Sequence, residues 1–117
     1  MLNQNEKIMY NHHNPKIAKP IMNRLLSALG EKWADASYGN DCTASISREI
    51  PNYTEKDDYG NLYDDIMEIY LPNSTEYNWD KEHFNNYTVT YGYSKESQCY
   101  DTFEDTIKAV KEFENNL

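Results

Sequence analysis

The chain has little of what marks secreted, membrane-spanning or phosphate-binding proteins. Its 117 residues include two cysteines, four prolines and four glycines, and the glycines are scattered singly, so no glycine-rich phosphate loop is present. No apolar run approaches the roughly 18 residues of a membrane span, and the N-terminus lacks the apolar segment of a signal peptide. We therefore expect a cytoplasmic protein. Cys42 and Cys99 are then reduced thiols, although a disulfide between them stays an open alternative.

Basic residues are also scarce, and they are unevenly distributed. The chain holds 11 lysines and arginines against 20 acids, a formal net charge of −9. Residues 1–33 carry five basic residues and two acids, whereas residues 34–117 carry six basic residues and eighteen acids. Phosphate contacts need clustered Lys and Arg, so we expect neither direct nucleic-acid binding nor attachment to an anionic membrane. The acidic balance favours a positively charged partner.

Tyrosine is plentiful in the acidic part of the chain. Ten of the 11 tyrosines lie in residues 34–117. Mean hydropathy is low at −0.95, but an aromatic content of 14% supplies apolar area for a folded core. The length predicts one domain. We assign the polar, unpatterned residues 1–14 to a loose tail and residues 15–117 to a single α+β domain.

Hydrophobic spacing predicts a helix at each end of this domain. The first covers about residues 19–30, with Pro20 in its first turn and Gly30 at its end. The second covers residues 102–116, where Thr102 and Asp105 form a variant of the capping box. Its apolar stripe consists of Phe103, Ile107, Val110, Phe113 and Leu117.

Four extended segments between the helices predict an antiparallel sheet. They span residues 34–38, 41–50, 65–71 and 87–93, and Gly39-Asn40 predicts a two-residue hairpin turn between the first two. Amphipathic helices and strands with one apolar face bury those faces against each other. We therefore predict a two-layer α+β sandwich, in which a four-stranded antiparallel meander sheet carries the N-terminal and C-terminal helices on one face.

Alternation along the strands assigns residues to the two faces of the sheet. The face toward the helices is predicted to hold Cys42, Ala44, Ile46, Tyr87, Val89 and Tyr91. The opposite face, turned to solvent or to a partner, is predicted to hold Thr43, Ser45, Ser47, Glu49, Glu68, Tyr70, Thr88 and Thr90. A register shift of one residue would exchange the two sets.

No residue spacing predicts catalysis. His12 and His13 are adjacent but lack further placed ligands, and His83 has no triad-type partner. A calcium loop that began at Asp57 would have Gly60 at position four, whereas an EF-hand needs glycine at position six. We therefore predict a protein that is not an enzyme and has no catalytic residue, no metal site and no cofactor.

Acids and tyrosines are interleaved around the predicted third strand. Carboxylates spaced along a surface imitate phosphates and compete for a basic groove, and tyrosines add rigid contact area. The alternative is an ordinary solvating surface, because acids keep a protein soluble. The predicted protein-binding residues are Asp57, Asp58, Tyr59, Tyr63, Asp64, Asp65, Glu68 and Tyr70.

Three stretches carry a resemblance: residues 38–46 (YGNDCTASI), 69–73 (IYLPN) and 101–105 (DTFED). Together with heavy use of Asn, Tyr, Lys and Asp, they resemble small acidic orphan proteins of phages and mobile elements of Gram-positive bacteria. Such sets include anti-CRISPR inhibitors, many of which are small, acidic and non-enzymatic. The resemblance assigns no functional residue.

The first hypothesis is a phage-type, non-enzymatic inhibitor that acts in the host cytoplasm. It would bind a basic nucleic-acid-binding protein, such as a CRISPR effector nuclease, and block its nucleic-acid groove. One alternative is an immunity or antitoxin protein that neutralises a basic toxin. An alternative of another class is a small enzyme or metal-binding domain without a recognisable motif.

Overall fold

Two helices and five strands make up the described chain. The computed structural model describes residues 15–37, 43–51, 56, 58–61, 65–72, 85–92 and 95–117. None of the helices in these ranges is long and apolar enough to cross a membrane. In chain order the elements are α1 (Pro15–Leu29), β1 (Ala34–Asp35), β2 (Ser45–Ile50), β3 (Asp65–Tyr70), β4 (Tyr87–Thr90), β5 (Ser97–Tyr100) and α2 (Phe103–Glu114).

The five strands form one antiparallel sheet in the order β1-β2-β3-β4-β5, so each strand pairs with its neighbours in sequence. Ile46 lies opposite Ile69, and Ile69 lies opposite Val89. Side chains of both helices join these residues in one buried cluster. The predicted α+β class, with a meander sheet and both helices on one face, is confirmed.

The sheet has one strand more than predicted, because β5 was not recognised. Its residues, Ser97 to Tyr100, are mostly polar and show no apolar alternation. A strand at the edge of a sheet needs no buried face, and three of the four residues are exposed. Alternation therefore gives no signal for such a strand.

The predicted inward face is confirmed where the structure describes it. Ala44, Ile46, Tyr87 and Val89 are buried, and Tyr91 is half-buried against the core. Cys42 lies outside the described residues.

On the opposite face, Thr88 and Thr90 are half-buried, but Thr43 and Ser45 are 2% and 0% exposed. The Thr43 hydroxyl donates to the carbonyl of Leu71, and the Ser45 hydroxyl donates to Glu68 Oε2 at 3.0 Å. The expectation that Thr43 and Ser45 face solvent or a partner is therefore wrong.

Helix α1 begins earlier than predicted. Pro15 is its first residue, where a missing N–H costs nothing, and Pro20 lies inside the helix, not in its first turn. The end is as expected: Gly30 has a φ of +98° and donates its N–H to the carbonyl of Leu26 at 2.9 Å. Its buried stripe is Ala18, Met22 and Leu25.

Helix α2 begins at the predicted cap. The Asp105 N–H donates to Thr102 Oγ1 at 3.1 Å, and Val110 is fully buried. Phe103, Ile107 and Phe113 pack half-buried against the core. The helix ends at Glu114. Leu117 lies beyond this end and is 47% exposed, so its assignment to the apolar stripe is wrong.

The two helices contact each other across the sheet face. The Arg24 guanidinium on α1 lies 3.8 Å from the centroid of the Phe103 ring on α2, and it contacts Glu104 Oε1 at 3.4 Å. A cation over an aromatic face is attracted by the ring quadrupole. These contacts join α1 to the first turn of α2.

Candidate protein-binding surface

The described part of the predicted surface divides into three places. Asp57, Tyr63 and Asp64 lie outside the described residues. Asp58 and Tyr59 lie in the turn 58–60 between β2 and β3, Asp65 begins β3, and Glu68 and Tyr70 lie further along the same strand.

The turn presents Asp58 and Tyr59 to solvent. Both are exposed, and Tyr59 is 90% exposed. Gly60, with a φ of +81°, adopts the backbone that this turn requires and that other residues rarely take. A carboxylate and an aromatic ring are thus adjacent and accessible.

Asp65 is separated from the other predicted residues because it faces the core side of the sheet. It is 9% exposed and lies opposite Ile50. Its Oδ1 accepts the N–H of Ile66 at 2.8 Å. A Cβ at Gly92 would come within 2.7 Å of its Oδ2. Asp65 therefore has a structural role at the start of β3.

Glu68 and Tyr70 share the opposite face of the sheet, as their spacing of two residues predicts. Both are half-buried. Glu68 lies between Ser47 and Thr90 in the strand register, and Tyr70 lies between Ser45 and Thr88. The structure therefore brings Glu68 and Tyr70 together, but on the face opposite Asp65.

The structure shows a partly buried ion pair that the sequence reasoning did not predict. Arg48 Nη1 contacts Glu114 Oε2 at 2.5 Å, and the two side chains are 9% and 18% exposed. Trp33 Nε1 donates to the same oxygen at 3.3 Å, and Arg48 Nε donates to the carbonyl of Glu49 at 3.1 Å. The pair joins β2 to the end of α2.

The sequence contained two signals for this pair. Arg48 lies between Ile46 and Ile50 in an alternating strand, and so it occupies a position that faces the helices. Glu114 ends a helix, where the helix dipole disfavours a negative charge unless a cation is near.

A shallow depression of about 570 Å³ lies beside Arg48. Its lining is Lys32, Ala34, Ser47, Arg48, Glu49, Ile50 and Pro51.

Two tyrosines beneath α2 have perturbed acidity. Burial and a hydrogen bond of 2.7 Å to the Tyr100 hydroxyl raise the pKa of Tyr91 far above its usual value of 10.0. Burial also raises the pKa of Tyr87. The Tyr91 ring lies 4.8 Å from the Phe113 ring, centroid to centroid. Both phenols are neutral at physiological pH, and their role is packing.

Metal-binding groups do not cluster in the described ranges: no three His, Cys, Asp or Glu side chains there come close enough to hold an ion. His12, His13, His83 and Cys42 lie outside those ranges. Cys99 is a free, exposed thiol on β5, 3.7 Å from the Thr88 hydroxyl.

Comparisons of the chain with protein-family models, with curated proteins and with solved structures found no match. No function can therefore be transferred to the chain from a relative.

Proposed function

We propose that the protein is a non-enzymatic inhibitor that binds a basic, nucleic-acid-handling protein, such as a CRISPR effector nuclease, and blocks its nucleic-acid groove. The observation that carries this proposal is the exposed Asp58–Tyr59 pair at the turn between β2 and β3. A tyrosine that is 90% exposed leaves most of its ring in water. Contact with a partner would bury that ring at low entropic cost, as interface hot spots do.

The charge around this turn supports a basic partner. Residues 52–64 carry four acids, one lysine and three tyrosines. Ile50 and Asp65 lie opposite each other at the ends of β2 and β3, so the connection that contains the turn begins and ends at one end of the sheet. The four acids of this connection would attract a basic groove over a distance of about 8 Å at physiological salt and speed association.

The position of Asp65 narrows the proposed surface. A substitution of Asp65 made to test binding would also disturb the buried start of β3. The surface that we propose therefore consists of Asp57, Asp58, Tyr59, Tyr63 and Asp64 in the connection between β2 and β3, together with Glu68 and Tyr70 on β3.

Charge reversal tests this proposal. The triple variant Asp57→Lys, Asp58→Lys and Asp64→Lys changes the net charge by +6. Purified wild-type protein should inhibit DNA cleavage by one or more CRISPR effector nucleases from Gram-positive bacteria, and the triple variant should inhibit at least about tenfold more weakly. Circular dichroism checks that the variant remains folded.

A matched control separates the proposed surface from net charge alone. The variant Glu31→Lys, Asp105→Lys and Glu112→Lys makes the same change in charge at three other exposed positions. This control should inhibit nearly as well as the wild type. Equal loss in both variants, or inhibition of a basic toxin but of no nuclease, would contradict the proposal.

A further inference from the structure

The outer edge of β5 is open along the described chain. β5 pairs with β4 on one side, and no described residue pairs with it on the other. Ser97, Gln98 and Cys99 are exposed. The strand contains no charged residue and no proline, although both often protect a sheet edge from pairing with another chain. An edge of this kind is a template for another strand.

The register of the sheet shows which backbone groups point outward. The Leu71 N–H donates to the carbonyl of Ala44, so odd-numbered residues of β3 bond toward β2 and even-numbered ones toward β4. The same alternation continues through β4, where Tyr87 and Val89 bond toward Tyr100 and Gln98. The N–H and C=O groups of Ser97 and Cys99 therefore point away from the sheet.

Opposite charges lie at the two ends of this edge. Lys95 precedes β5, Asp101 follows it, and both are exposed. Neither side chain forms an ion pair within the part of the chain that the structure describes. Five residues lie between them, and four of these form the extended strand β5, so the two side chains lie at opposite ends of the edge.

We propose that β5 pairs antiparallel with β5 of a second copy of this chain, with Gln98 of one copy opposite Gln98 of the other. In this register the outward groups of Ser97 face those of Cys99 in the second copy, and four backbone hydrogen bonds form across the two-fold axis. Lys95 then lies opposite Asp101 of the second copy, twice per dimer. Because such an axis is perpendicular to the sheet, the helices of both copies lie on the same face.

Charge reversal with rescue tests the register. Sedimentation equilibrium at physiological salt, from micromolar to millimolar protein, should show the 13.8 kDa chain in equilibrium with its dimer. Lys95→Asp or Asp101→Lys alone places like charges opposite each other twice, and each should raise the dimer dissociation constant about tenfold or more. The double variant keeps the net charge, restores both ion pairs and should return the constant to near the wild-type value.

Two controls exclude an effect of net charge. Lys32→Asp and Glu31→Lys make the same charge changes at exposed positions beside β1, at the other edge of the sheet. Neither should change the dissociation constant by more than about twofold. A chain that stays monomeric throughout, or a dimer that none of these variants weakens, would overturn the proposal.

Cross-linking tests the register independently. Antiparallel residues that are opposite but not hydrogen-bonded lie about 4.5 Å apart at Cα, within the range that a disulfide spans. In a Cys99→Ser background, Gln98→Cys should therefore give a covalent dimer on mild oxidation, whereas Cys99→Ser alone should not. A wild-type dimer cross-linked through Cys99 itself would show a different register and overturn this one.

Discussion

Replacing Glu114 with Met should leave a partly buried guanidinium without its carboxylate. Arg48 is 9% exposed and its counter-ion Glu114 is 18% exposed. Arginine does not lose its proton at accessible pH. The substitution also removes the acceptor of the Trp33 indole N–H.

Breaking a fully buried pair by removing one partner costs about 3–5 kcal/mol. Arg48 keeps some exposure and its bond to the carbonyl of Glu49, so we expect Glu114→Met to lower the free energy of unfolding by about 2–3 kcal/mol. Arg48→Met should cost less, about 1–2 kcal/mol, because the Glu114 side chain is more exposed than Arg48 and its carboxylate keeps contact with water. The double variant should lie within about 1 kcal/mol of the wild type.

Urea unfolding of the wild type, both single variants and the double variant measures the coupling directly. At this chain length, each kcal/mol should also shift the melting temperature by about 3–5 °C. The ion pair of Lys19 and Asp35 provides the control because it is more exposed. Lys19 Nζ lies 3.8 Å from Asp35 Oδ2, and the two side chains are 56% and 34% exposed. Lys19→Met should change stability by less than about 0.5 kcal/mol.

The refuting result is additivity. If the double variant loses the sum of the two single losses, Arg48 and Glu114 do not interact in solution. If Glu114→Met has no effect on stability, then the carboxylate does not compensate the partly buried charge of Arg48, and this ion pair does not hold α2 to β2.

Three further predictions concern stability. Gly92→Ala should lower the free energy of unfolding by at least about 2 kcal/mol, because Gly92 has a φ of +138° and the added Cβ would lie 2.7 Å from Asp65 Oδ2. Gly30→Ala should lower it by about 1 kcal/mol, because no atom lies within 4 Å of the added Cβ. Equal losses in urea unfolding would refute the contact at Gly92. Because the pKa of Tyr91 is raised in the folded state, its contribution to stability is complete below about pH 10 and is lost as the pH rises above it. In Tyr91→Phe the free energy of unfolding should therefore fall less steeply with pH between about pH 9 and 11. The same pH dependence in wild type and variant would contradict this. Val110→Ala should cost about 2 kcal/mol and Leu117→Ala less than about 0.5 kcal/mol by thermal melting, and the reverse order would refute the assigned end of α2.

Elements with a buried face could be predicted from the sequence. The stripe on α2 and the alternation of β2, β3 and β4 each record which side of the element meets the core. The cap at Thr102 was predictable because the side chain bonds to the backbone three residues on. The start of α1 was misplaced, since either proline fits the first turn of a helix and only Pro15 occupies it.

Features that depend on contacts distant in sequence were not predictable to the same degree. Strand β5 is specified by pairing with β4 and not by its own pattern. Arg48 and Glu114 are 66 residues apart, so only the fold shows that they meet. In the candidate surface, acid and tyrosine content led to the prediction of a polar loop over residues 52–64, in which the structure shows a turn with Asp58 and Tyr59 exposed. That content did not show that Asp65 faces the core.

Competition with nucleic acid tests the proposed function most directly. With the purified nuclease that the protein inhibits, fluorescence anisotropy of labelled nucleic acid should show displacement by the protein. The apparent inhibition constant should rise in proportion to the nucleic-acid concentration, and Tyr59→Ala should weaken displacement by raising the dissociation rate of the protein. A ternary complex, in which the nuclease holds nucleic acid and this protein together with undiminished affinity for each, would contradict a blocked groove.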